Sequence, residues 1–118
     1  MKNKSSELTV STPGRVCLFG EHQDYLNLPI IASAISLRIS MAGFKRDDAT
    51  VCIHLPDIGS EESFPFHDPI SYDKERDYFK SSVIVLKRHG YSFSSGMDCV
   101  VKSKIPINAG TSSSSALI

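Results

Sequence analysis

From Ile35 to Met41 apolar and polar residues alternate without a break, Ile-Ser-Leu-Arg-Ile-Ser-Met. A two-residue period puts the apolar side chains on one side of an extended backbone, so this stretch reads as a strand with one wet face. Thr50 to Leu55 reads as the returning strand. The charged cluster Lys45-Arg46-Asp47-Asp48 between them reads as a turn, and an antiparallel hairpin is expected. His54 is then an outward strand residue rather than a ligand, and Asp47 and Asp48 are exposed turn residues.

The rest of the chain extends the same pattern. Glu7 to Ser11 alternates and leads to a Pro13-Gly14 turn, and the apolar run Val16 to Phe19 reads as a short buried strand ending at Gly20. Leu28 to Ala32 is apolar again. Pro56-Asp57-Ile58-Gly59 breaks the Thr50–Leu55 strand, and Ser63 to Phe66 is expected as a short edge strand. His67-Asp68-Pro69 reads as loop, because a residue before proline is turned away from helix. From about Asp73 the period changes. Tyr78, Phe79, Ser82, Val83, Val85 and Leu86 fall at helical spacings, Lys87, Arg88 and His89 suit the negative end of a helix dipole, and Gly90 marks the stop. Met97 to Val101 reads as a further strand.

Composition narrows the function classes. With 118 residues the chain is the size of one small domain. Thirteen basic and thirteen acidic residues cancel, leaving no basic footprint for nucleic acid or an anionic membrane. No apolar run approaches the roughly 20 residues that span a bilayer, and the polar start lacks the apolar stretch of a signal peptide. Three cysteines, Cys17, Cys52 and Cys99, have apolar neighbours and no Cys-x-x-Cys spacing. They read as buried hydrophobes in a reducing compartment, so the expected location is the cytoplasm.

Two stretches carry chemistry. Beyond Gly20 the chain turns abruptly polar, with Glu21, His22 and Asp24 within four positions and Arg15 just ahead of the apolar run. A cation and two carboxylates brought to one pocket would grip a hydroxyl-rich molecule beside an anionic one. Near the other end, Gly110 precedes Thr111 and the run Ser112 to Ser115, then Ala116-Leu117-Ile118. A flexible loop entering a helix offers unpaired N–H groups and hydroxyls to phosphate. The same run also reads as a plain capped helix start, and it is not a Walker A loop, since no lysine follows. Ile118 stops where that helix has barely begun, and a helix of one turn does not hold itself. The chain is therefore expected to be an N-terminal piece of a longer protein, residues 1–118, cut at this loop.

Together the two stretches resemble a known family. Pro13-Gly14-Arg15-Val16-x-Leu18-x-Gly20-Glu21-His22-x-Asp24-Tyr25 is similar to the first motif of galactokinases within the GHMP kinases. Pro106-x-x-x-Gly110-x-Ser112-Ser113-Ser114-x-Ala116-Leu117 resembles that family's second, phosphate-loop motif. The likeness runs from about Thr9 onward. It implies an α+β fold with a mixed or antiparallel sheet and helices on one face. It also implies an ATP-dependent kinase that phosphorylates a monosaccharide at its anomeric hydroxyl, with ATP as co-substrate and Mg²⁺ beside it. By this resemblance Glu21, His22, Asp24 and Tyr25 take the sugar, and Arg15 lies by the transferring phosphoryl group as the catalytic cation. Asn108, Gly110, Thr111, Ser112, Ser113 and Ser114 surround the ATP phosphates, and Ser114 contacts Mg²⁺.

The departures from the pattern are specific. Cys17 stands where galactokinases usually have Asn, and Leu26-Asn27-Leu28 replaces a longer glycine-rich loop beside the sugar. Asn108 and Thr111 replace a usual Gly and Leu. The family's catalytic Asp and third motif lie downstream of the second, so this chain alone is expected to be inactive and to need the remainder of the kinase polypeptide. Three readings stay open: a sugar-1-kinase, a kinase of the same family for another small alcohol, and a non-catalytic sugar- and ATP-binding sensor.

Overall fold

The computed structural model describes residues 7–106 and 110–118, with Asp24 described for its backbone only. The strands are β1 (Leu8–Phe19), β2 (Ile31–Lys45), β3 (Thr50–Leu55), β4 (Ser60–Pro65) and β5 (Met97–Ser103). The helices are α1 (Tyr78–Arg88), between β4 and β5, and the short α2 (Ser113–Leu117). The five strands form one mixed sheet in the order β1-β2-β5-β3-β4. β3 runs parallel to β5 and antiparallel to β4.

The contacts divide the chain into two compact units. One holds the described residues up to Val10, with Met41–Lys102 and Ile118; the other holds Ser11–Ser40 and Ser103–Leu117.

In the first unit the period-two rule works as expected. Val51 and Ile53 are buried while Cys52 and His54, one residue on, are half-open. Phe64 and Phe66, Val83 of α1, and Cys99 and Val101 of β5 complete the buried apolar set of this unit. Ile53, 1% exposed, is its most enclosed side chain. Removing such a side chain to alanine costs about 2–5 kcal/mol, through lost transfer energy and the cavity left behind. Lys80 is also buried. Its ammonium pairs with Asp73, donates to the Ser71 carbonyl at 3.1 Å and lies 5.7 Å from the centre of the Phe64 ring. The hydrogen bond that Lys80 donates to Asp73 holds the Lys80 pKa above its ordinary value despite the opposing effect of burial.

The expected β2–β3 hairpin does not form, because β5 lies between the two strands. The charged turn accounts for this. Arg46 N–H donates to the Gly96 carbonyl at 2.9 Å, Gly96 N–H donates to the Asp48 carbonyl at 2.6 Å, and Arg46 Nη1 reaches Asp98 at 3.4 Å. The turn thus binds the lead-in to β5 instead of closing β2 on β3. Gly43 of β2 makes the approach possible: a Cβ there would lie 2.4 Å from the Asp98 carbonyl oxygen and 2.6 Å from Cys99 Cβ. His54 faces outward as expected, held between Asp98 (Nε2, 2.8 Å) and Glu61 (Nδ1, 2.9 Å).

In the second unit two further expectations give way. Pro13-Gly14 is not a turn, since β1 runs straight through it. β1 is first in the strand order, and an edge strand tolerates the N–H that proline lacks. Nor is the run Val16 to Phe19 buried: Leu18 is 56% and Phe19 70% exposed, at the end of an edge strand. Burial in this unit lies with Ile39, Ile105 and Gly14.

The turn at Gln23 and the phosphate-type loop form one cleft

Strand β1 sets the positions. Arg15 and Cys17 are two residues apart, so their side chains share one face of the strand. After Phe19 the chain turns at Gly20 and tightens, with Gln23 N–H on the Gly20 carbonyl at 3.0 Å and Leu26 and Leu28 N–H both on the Gln23 carbonyl at 3.0 and 3.2 Å. The backbone at Asp24–Leu26 makes one 3₁₀ turn. This compact geometry carries Glu21 and His22.

The loop before α2 comes back against β1. Arg15 N–H donates to the Thr111 carbonyl at 3.1 Å. Gly14 allows the contact, because a Cβ there would sit 3.0 Å from both that carbonyl oxygen and Ile105 Cδ1. The Arg15 guanidinium donates from Nε at 3.2 Å and from Nη2 at 3.1 Å to Ser112 Oγ. Thr12 Oγ1 donates to the Ala116 carbonyl, and Thr111 Oγ1 to the Pro106 carbonyl at 3.3 Å.

Between these segments lies a cleft of about 340 Å³ lined by Arg15, Cys17, Gly20, Glu21, His22, Ile30, Gly110, Ser112, Ser114 and Ser115. Six of the residues singled out from sequence meet here: Arg15, Glu21 and His22 from the first stretch, Gly110, Ser112 and Ser114 from the second. Tyr25, 74% exposed, and Ser113, the first residue of α2, are not on its wall. Thr111 supports the loop through its backbone carbonyl instead of lining the cleft. Asn108 lies outside the described residues, as does the side chain of Asp24. Sequence reasoning missed Ile30, carried Ser115 only as part of the Ser112–Ser115 run, and treated Cys17 only as a departure. The strand period gave the signal for Cys17, which shares the face of Arg15; Ile30 carries no chemical mark that would have singled it out.

A cation, a carboxylate, an imidazole and several hydroxyls in one cleft can hold a polyol and an oxyanion together. Among the described residues no group of three or more His, Cys, Asp or Glu is arranged to hold a metal ion. The hard hydroxyl oxygen of Ser114 suits Mg²⁺ that arrives already coordinated by phosphate, not an ion held by protein ligands alone.

This fold is that of the N-terminal domain of GHMP-family kinases. The crystal structure of the Methanococcus jannaschii mevalonate kinase superposes with a TM-score of 0.77, at 24% identity over 97% of this chain and 38% of that one. In sequence the chain is most similar to galactokinases among the relatives compared. The model of the galactokinase galactose-binding signature matches residues 2–45. The galactokinase of Mannheimia succiniciproducens is 34% identical over 98% of this chain, and that of Glaesserella parasuis 34% over 96%. The crystal structure of the Lactococcus lactis galactokinase complexed with galactose aligns with a TM-score of 0.81, at 26% identity over 95% of this chain and 30% of that one. The chain spans 31% and 30% of the length of the two curated galactokinases. Among the described residues no helix is long and apolar enough to cross a membrane.

Proposed function

We propose that this chain is the sugar- and phosphate-gripping part of an ATP-dependent kinase that phosphorylates a monosaccharide at its anomeric hydroxyl. One observation carries the reading: Arg15, Glu21 and His22 share a single cleft with Gly110, Ser112 and Ser114. Galactokinase relatives at 34% identity support the substrate class.

In this reading Glu21, His22, Asp24 and Tyr25 take the sugar hydroxyls. A carboxylate accepts two hydroxyl hydrogen bonds, which suits a polyol. Arg15, beside the loop, offsets charge that develops on the transferring phosphoryl group. Asn108, Gly110, Thr111 and Ser112 to Ser114 surround the ATP phosphates in this reading, offering N–H and O–H donors. Ser114 is the side chain that would contact Mg²⁺, which when bound supplies charge neutralisation between phosphate oxygens. The remainder of the polypeptide supplies the proton acceptor for the reacting hydroxyl, so residues 1–118 alone do not turn over. Three free thiols suit a reducing cytoplasmic setting.

Cys17 favours a second reading, a kinase of the same family for another small alcohol, because a thiol on the cleft wall offers a weaker hydrogen-bond partner than an amide would. The deciding experiment is a coupled ADP-release assay of the intact gene product against a panel of monosaccharides and small alcohols. Phosphorylation of galactose or a related sugar at its anomeric position upholds the first reading, and turnover confined to a non-sugar alcohol upholds the second. Binding of sugar and ATP with no turnover on any compound makes the protein a sensor and ends both.

A further inference from the structure

Arg15 and Ser112 are 97 positions apart in sequence, yet they share two hydrogen bonds to a single oxygen. Nε–H and Nη2–H lie on one edge of the guanidinium. Donation from both to Ser112 Oγ therefore fixes the plane of the group as well as its place. Among the described hydrogen bonds the Nη1–Nη2 edge is uncommitted, and that is the edge whose fork matches two oxygens of a phosphoryl group.

Ser112 holds this position in an unusual conformation. Its φ is +56°, in the left-handed region that non-glycine residues seldom occupy. It directly precedes α2, and its carbonyl accepts the Ala116 N–H at 3.0 Å. A serine there commonly turns its hydroxyl back to cap the N–H groups of the first turn. Here the oxygen is turned to Arg15. The chemistry of the hydroxyl adds a consequence: it has two lone pairs and one hydrogen, and Arg15 engages the acceptor side. The hydrogen must then point away from the cation, which leaves Ser112 a donor with a fixed direction on the wall of the cleft it lines.

We propose that Ser112 is a positioning residue that sets the plane of the Arg15 guanidinium, beyond any direct contact it makes with phosphate. Its meaning for turnover rests on the kinase reading above; the contact itself does not.

The test compares two variants of the intact gene product. Ser112→Gly accepts a positive φ readily and deletes the acceptor. Ser112→Asn is also at ease in the left-handed region and carries an amide oxygen that can accept from Arg15. Two readouts are taken: steady-state kinetics, and the rate at which phenylglyoxal modifies Arg15 without nucleotide, followed by mass spectrometry of the Arg15 peptide. Ser112→Gly is expected to lower kcat about tenfold with little change in sugar KM, and to speed Arg15 modification severalfold, since a hydrogen bond to a charged group is lost. Ser112→Asn is expected to recover both. If the serine matters only for the backbone, Ser112→Gly keeps kcat at or above the wild-type value and leaves the Arg15 modification rate unchanged, and the proposal fails. Should the wild type phosphorylate nothing, the kinase reading falls by itself, and the Arg15 modification rates still decide whether Ser112 holds the guanidinium.

Discussion

Among the described residues, seven of the nine buried apolar side chains belong to the unit carrying β3, β4 and α1, and Ile39 and Ile105 to the other. Every residue lining the Arg15 cleft belongs to that other unit. The first unit is held by interdigitated side chains such as Val51, Ile53 and Phe64. The second is held at its cleft by main-chain and hydroxyl hydrogen bonds, among them Arg15 N–H to Thr111 and Arg15 to Ser112. Stability and chemistry are therefore drawn from separate stretches of sequence. A substitution in one should be readable as a folding defect and in the other as a functional one.

The largest effect should come from the enclosed core. Ile53→Ala is expected to lower unfolding free energy by about 2–5 kcal/mol in urea titrations of the intact protein. A loss below about 1 kcal/mol would mean that the first unit is not where stability resides. Next comes the cleft: Arg15→Ala should reduce kcat by about 10²–10³ while leaving the melting temperature nearly unchanged. A large fall in melting temperature would erase the contrast between the units.

The thiols sharpen the comparison further. Burial raises the Cys99 pKa to about 11, so near neutral pH it carries about a hundredfold less thiolate than at its ordinary value. Iodoacetamide at pH 8 should label Cys17, half-buried on the cleft wall, well before Cys99; equal rates would show that the first unit opens as readily as the second. Because the Cys99 pKa is raised in the fold, the stability it contributes is complete below about 9 and is lost as pH rises toward 11. Glu21→Gln should raise the sugar KM by about tenfold with ATP KM unaffected, and a matching rise in both would remove Glu21 from the sugar side. The smallest effect concerns the turn before β3. The hydrogen bond from Arg46 lowers the Asp48 pKa to about 2 from 3.8, so its contribution is present above 3.8 and lost as pH falls toward 2. Asp48→Asn should therefore melt slightly below wild type at pH 6 and alongside it at pH 2.

Much of the architecture was legible because it rests on local periodicity. β3, α1, β5 and the break at Pro56–Ile58 follow from spacing and turn residues within a few positions. The failures were failures of pairing. Nothing in Lys45–Asp48 announces that its backbone will bind Gly96 and admit β5 between two strands adjacent in sequence. The exposure of Leu18 and Phe19 was illegible for the same reason, since an apolar run does not state whether its strand lies at an edge. At the site, the two motifs name seven of the ten lining residues, six of them with a role assigned from the sequence. Ile30 went unseen because an isoleucine on a cleft wall looks like any other.

The bond from Arg15 N–H to the Thr111 carbonyl engages no side chain at either end. Exchange of either residue leaves both partner atoms in place, proline at position 15 being the exception because it removes the hydrogen. Random mutation can thus alter what the loop offers to a ligand without unfastening the loop from its strand. That separation makes this stretch a tolerant platform for laboratory evolution of a different acceptor.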